Sequence, residues 1–171
     1  MQIVMIILRL IHIFGAIAWV GGLLFVLGVI QPVVQEAGPD GGRFMQRLAA
    51  SGRLVRYSTA AGVTTVLAGL ILYYFVSGQL NGAWFRTGYG IGLTIGAIAG
   101  LLALGYGYFV TGRIATQLGA LAKEMLARQG PPDPAQLKQA QALGARMGQN
   151  AMISAIIMAV AVFGMSAAQY L

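Results

Sequence analysis

Residues 3–30 read IVMIILRLIHIFGAIAWVGGLLFVLGVI, an apolar run of 28 residues in which Arg9 and His12 are the only basic side chains. A helix needs about 20 such residues to cross the hydrocarbon core of a bilayer. The run therefore predicts a transmembrane helix, with Arg9 at one interface and a stop at Gln31-Pro32, where proline interrupts the hydrogen-bond ladder. No basic segment precedes it, and it is too long for the core of a signal peptide, so the helix is expected to stay in the mature protein.

Three more runs of similar character follow, at about 57–76, 89–110 and 151–170. Together they predict an all-α membrane protein, a bundle of four transmembrane helices in a single integral membrane domain over 1–171. The chain is 58% hydrophobic and 9% charged, with a mean hydropathy of +0.77, so little material remains for a soluble domain. Cysteine is absent, which excludes disulfides and thiolate metal sites.

All of the net charge of +7 except that of Arg9 is carried between the runs. Arg43, Arg47, Arg53 and Arg56 lie between the first two spans. Arg113, Lys123, Arg128, Lys138 and Arg146 lie between the last two, and only Arg86 falls between the middle two. This bias predicts that both long connections face the cytoplasm and that both termini face outward, in a cell inner (plasma) membrane. It is the pattern of a topology signal beside anionic lipid, and nucleic acid is not expected as a partner.

Within the connections, residues 43–56 set Phe44, Met45, Leu48, Leu54 and Val55 among four arginines, an amphipathic segment suited to a membrane surface. After span three, Ile114, Leu118, Leu121 and Met125 keep helical spacing, and the helix is expected to end near Gly130-Pro131-Pro132. Asp133-Pro134-Ala135-Gln136 has the form of a new helix start. Spans three and four are thus expected to extend as a cytoplasmic helical hairpin over 113–148, projecting roughly 20–27 Å at 1.5 Å per residue.

Small residues recur every four positions, as Gly88, Gly92, Gly96 and Gly100 on span three and as Ala151, Ala155 and Ala159 on span four. Such rows allow close backbone approach in lipid, and they predict packing between these helices or between subunits. Tyr73, Tyr74, Trp84, Phe85 and Tyr89 gather around the connection of spans two and three, as an interfacial aromatic belt does.

Chemistry centres on His12, the only histidine. Arg9 precedes it by three residues and Met5 by seven, so all three share one helical stripe. Met165 is expected at a comparable depth on span four. A neutral imidazole can ligate haem iron opposite a methionine, with an arginine pairing a propionate. Imidazole and thioether also suit Cu(I). The competing reading gives His12 a hydrogen bond to a backbone carbonyl of a neighbouring helix, Arg9 an anchoring role at the interface, and Met5 and Met165 ordinary packing. The four carboxylates, Glu36, Asp40, Glu124 and Asp133, all lie in the connections. With no nucleophile–base pair or phosphate loop, the sequence leans away from an enzyme.

The opening of span one, Leu10-Ile11-His12-Ile13 and then Ala18-Trp19-Val20-Gly21-Gly22-Leu23-Leu24-Phe25, resembles the first helix of copper-resistance-protein-D-like membrane proteins. It is similar also to uncharacterised four-helix bacterial membrane proteins and, more distantly, to HemJ-type protoporphyrinogen oxidases. The resemblance implies a metal or haem position at His12, with Trp19, Gly21 and Gly22 as packing partners. It departs from copper-resistance D proteins in having one histidine and from HemJ-type proteins in placing Lys123 and Lys138 outside the spans.

The sequence thus leads to a small membrane protein binding haem b or copper through His12, with Arg9 beside a haem propionate and Met5 and Met165 as further metal ligands, for electron transfer or metal handling, as an oligomer or accessory subunit. The alternative is a cofactor-free structural or assembly subunit of a larger membrane complex.

Overall fold

The computed structural model describes residues 2–128 and 133–171, and these form helices with no strand among them. Four helices are long and apolar enough to cross a membrane: α1 (Gln2–Glu36), α3 (Arg53–Val76), α4 (Gly88–Ala127) and α5 (Pro134–Tyr170). Between the first two lies α2 (Gly38–Ser51).

Helix α1 does not stop at Pro32. It continues to Glu36, and the stop expected at Gln31-Pro32 is corrected accordingly. The cause is local: residues Val26–Ile30 form a π-turn, and the Gln31 N–H reaches back five residues to the Val26 carbonyl. A wider turn gives the proline ring room against the preceding carbonyls, so one missing N–H no longer ends the helix. The chain turns instead at Gly38, whose φ of +54° suits only glycine without strain.

The amphipathic segment is likewise redrawn. Gly52, at φ +62°, ends α2 and starts α3, so Leu54 and Val55 belong to the long helix and not to the amphipathic one. Helix α2 packs across the distal half of α4, where the position a Cβ would take at Gly119 is 2.9 Å from the Ala49 carbonyl oxygen. It thus has a protein partner as well as an exposed face carrying Phe44.

Helix α4 spans 40 residues and α5 spans 37. At 1.5 Å per residue each is about 55–60 Å long, against a hydrocarbon core of about 30 Å, so both overshoot it by some 25–30 Å. Asp133 caps α5, its carboxylate accepting from the Ala135 N–H at 2.9 Å. Arg128 at the end of α4 stands 3.6 Å from the same carboxylate. The expected stop at Gly130-Pro131-Pro132 lies outside the described residues.

Packing occurs in two antiparallel pairs. Helices α1 and α3 meet where Gly15 faces Thr65, Gly22 faces Tyr57 and Gly69 faces His12, the numbers rising on one helix as they fall on the other. Helices α4 and α5 meet where Gly88 faces Leu171, Gly92 faces Ala168 and Gly96 faces Met165. The glycine row of α4 therefore lies against α5. Its counterpart is not the row Ala151, Ala155 and Ala159, of which Ala159 is exposed, but the stripe of Ser154, Met158, Ala161, Gly164 and Ala168, all buried. At Gly164 a Cβ would lie 3.0 Å from the Gly96 nitrogen, so the backbones touch directly.

Candidate functional site

Between the two pairs lies a cavity of about 480 Å³, lined from all four long helices. Helix α1 contributes Arg9, His12 and Trp19. Helix α3 adds Thr65, Gly69 and Tyr73, helix α4 adds Tyr89 and Gly100, and helix α5 adds Met158, Met165 and Gln169. Most of the remaining wall is aliphatic.

His12 is held at one nitrogen. Its Nδ1 lies 2.8 Å from the main-chain oxygen of Thr65. A carbonyl oxygen only accepts, so Nδ1 is the donor, and in the neutral imidazole the lone pair is then on Nε2. The approach is possible because position 69, one helical turn beyond Thr65, is glycine. A Cβ there would lie 2.8 Å from Cε1 and 2.9 Å from Nδ1 of the ring, but 3.8 Å from Nε2. Thr65 leaves its carbonyl accessible by turning its own hydroxyl back to the Ala61 oxygen at 2.7 Å. Nε2 makes no hydrogen bond among the described residues and belongs to a ring that lines the cavity.

Arg9 is exposed and unpaired among the described residues, and it lines the same cavity with Gln169, also exposed. These two mark the end of the cavity nearer the termini. The level of Met165 follows from helix register. Position 148 on α5 lies beside Gln31 of α1, a Cβ there falling 3.2 Å from Gln31 Nε2. From that point, counting 19 residues back to His12 and 17 forward to Met165 gives about 28 and 26 Å. His12 and Met165 thus share one level and one cavity. Met5 is half-buried on α1 and does not line it.

Trp19 stands deeper, against Gly62, where a Cβ would be 2.9 Å from the indole Cε2. Tyr73 anchors the opposite end: its hydroxyl is 2.6 Å from Thr94 Oγ1, and its ring meets Trp84 edge-on at 5.4 Å between centroids. Trp84 also packs edge-on to Phe85 and Tyr89, whereas Tyr74 pairs with Phe75. The aromatic group at this turn is therefore a packed cluster that holds Tyr73 and Tyr89 at the cavity.

Sequence reasoning missed Thr65, Gly69, Met158 and Gln169. None carries a signal by itself. Thr65 acts through its main chain and Gly69 through the absence of a side chain, so only the facing of α1 and α3 reveals them.

No family model, curated protein or solved structure matches the chain. The chemistry of the site therefore rests on its geometry.

The cavity wall is largely apolar, and His12, Met158 and Met165 supply its imidazole nitrogen and thioether sulfurs. The volume falls within the usual range for small-molecule sites. Among the described residues no three His, Cys, Asp or Glu side chains come together as a metal cage. A metal would draw on the His12 nitrogen and methionine sulfur, a donor pair common to haem iron and Cu(I).

Proposed function

We propose that this chain is a membrane-spanning b-type haem protein that passes electrons, with both termini on the outer face and the long connections in the cytoplasm. The observation that carries the reading is the placement of His12: Nδ1 lies 2.8 Å from the Thr65 carbonyl, and the ring lines an apolar cavity of about 480 Å³. In the neutral imidazole that bond leaves the Nε2 lone pair for a metal. A ligating histidine whose second nitrogen donates to a carbonyl is held in one tautomer and one orientation, which also raises its basicity.

His12, through its imidazole, and Met165, through its thioether sulfur, would hold the group. Arg9, at the exposed end, would pair with a propionate, a charge-assisted contact that orients the macrocycle with its acidic edge toward water. Trp19 and the aliphatic wall would keep water from the metal. Bound haem supplies one-electron redox chemistry, and the thioether sulfur would raise its potential relative to a second imidazole. Because α1 buries none of its residues within this chain, we also place a contact with a second copy or a larger complex on its outer face.

The test is a reduced-minus-oxidised absorption spectrum of the detergent-purified protein after incubation with haem b, with copper uptake measured in parallel. A sharp α band at one haem per chain, lost in His12→Ala while the helical content persists, is the expected result. Stoichiometric Cu(I) uptake without haem would assign the site to copper handling. Binding of neither, from protein isolated with its partners, would leave His12 as a helix tie and make the chain a structural subunit.

A further inference from the structure

A second concavity lies away from the His12 cavity, where the start of α3 meets α4. It has a volume of about 470 Å³ and is lined by Val55 and Thr59 of α3 and by Tyr108, Phe109, Gly112, Arg113, Thr116 and Gln117 of α4. Its place along the helices is informative. Counting about 20 residues of hydrocarbon from the Tyr89 end of α4 reaches Tyr108 and Phe109. These two rings pack edge-on at 5.1 Å and are 62% and 60% exposed, as an aromatic belt at the opposite interface requires. Arg113 follows one turn later, at the level of lipid headgroups. The groove therefore runs from the edge of the hydrocarbon into the headgroup layer.

Its polar end carries one cation, Arg113, beside Gln117, Thr59 and Thr116, side chains that can also donate. Arg113, Gln117 and Thr59 make no hydrogen bond or ion pair among the described residues, and Thr116 has committed its hydroxyl to the Gly112 carbonyl at 2.8 Å. No carboxylate lines the groove. The nearest one along α4 is Glu124, 11 residues on, about 16 Å away at helical rise. The apolar end, by contrast, offers only Val55 and the two aromatic rings. A ligand that satisfies both ends needs an anionic oxygen group joined to an alkyl chain, presented at the membrane surface.

We infer that this groove is a binding site for one anionic phospholipid of the leaflet on the α2 side, its phosphate held by Arg113 with Gln117 and Thr59 and its acyl chain lying on Tyr108 and Phe109. Arginine is the residue suited to a phosphate because its planar fork can engage two oxygens at once. Basic pockets between transmembrane helices select anionic headgroups through the same contacts. The inference rests on the chain spanning a bilayer and is independent of any cofactor at His12.

The test is native mass spectrometry of the full chain released from vesicles of equal parts phosphatidylglycerol and phosphatidylcholine. The wild-type chain is expected to retain one phosphatidylglycerol in preference to phosphatidylcholine. Arg113→Gln should reduce that preference roughly fivefold, the worth of one arginine at an anionic surface. Arg43→Gln, which removes an exposed arginine from α2, should leave it unchanged. Equal reduction by both variants would reduce the effect to net charge and overturn the site. So would full retention in Arg113→Gln, or displacement of the lipid by millimolar inorganic phosphate. Arg113 is exposed, so the variant is expected to keep the wild-type melting temperature in detergent, and this is checked alongside.

Discussion

The imidazole Nδ1 of His12 stands 2.8 Å from the carbonyl oxygen of Thr65, on a helix 53 residues away in sequence. One contact thus ties α1 to α3 and makes Nδ1 the donor, in a ring that lines the space between the two helix pairs. Both readings of His12 meet in this bond, since a structural tie at one nitrogen is what prepares the other for ligation.

Replacing His12 by alanine separates the two roles. Loss of one hydrogen bond within the membrane is worth about 1 kcal/mol. Helical circular dichroism is therefore expected to persist with a modest fall in melting temperature, while haem binding is abolished. A variant that retains a full α band in the spectral titration would remove His12 from the ligand set.

Gly69→Ala probes the same bond from the opposite side. The new Cβ would fall 2.8 Å from Cε1 of His12, so the ring must move away from the Thr65 carbonyl. Alanine favours the helix over glycine by about 1 kcal/mol, which offsets part of the lost contact. The expected outcome is near-normal stability with haem affinity lowered at least tenfold in a spectral titration. Unchanged affinity would show that the orientation of His12 does not govern binding.

Met165→Leu keeps the side-chain volume and is expected to change stability by less than about 1.5 kcal/mol. Removing the sulfur should lower the reduction potential and shift the α band, as read by a redox titration followed optically. The same substitution at Met5, which does not line the cavity, should leave both unchanged.

Gly164→Val tests the contact between α4 and α5. The first carbon added would lie 3.0 Å from the Gly96 nitrogen and 3.1 Å from the Gly92 oxygen, backbone atoms that cannot turn aside. Overpacking of this kind costs roughly 1–3 kcal/mol, and the helices must separate to relieve it. A clear fall in the detergent melting temperature is expected, whereas Ala159→Val, on an exposed position, should be neutral.

Tyr106→Phe leaves the Asn150 side chain without its tyrosine partner. Inside a bilayer such pairs contribute about 0.6 kcal/mol on average and up to about 1.7. The expected shift in melting temperature is small and independent of haem, which makes this variant a control for the three at the site.

Much of this molecule can be read along the chain. Helices long and apolar enough to span a membrane follow from the four hydrophobic runs, because in lipid a backbone must satisfy its own hydrogen bonds and a helix does so locally. The start of α5 is equally local, since Asp133 and Pro134 need only their next neighbours to act. Arg9 and His12 share a face by spacing alone, and both line the cavity. The stop at Pro32 misled because a proline breaks a regular ladder, and here a π-turn preceding it has already altered that ladder.

What the chain alone determined is whatever depends on composition and short-range period: helices, apolar lengths, and the position of the single histidine. Only tertiary structure decided which carbonyl receives His12, that Gly69 makes room for it, that Met165 shares its level while Met5 lies elsewhere, and that Gly96 meets Gly164 and not an alanine row. The physical reason is that helical period fixes which residues lie on one face, but not which helix that face meets or at what register. In lipid, where apolar side chains gain little by preferring one helix over another, those choices are made by close packing of small residues and by a few buried hydrogen bonds.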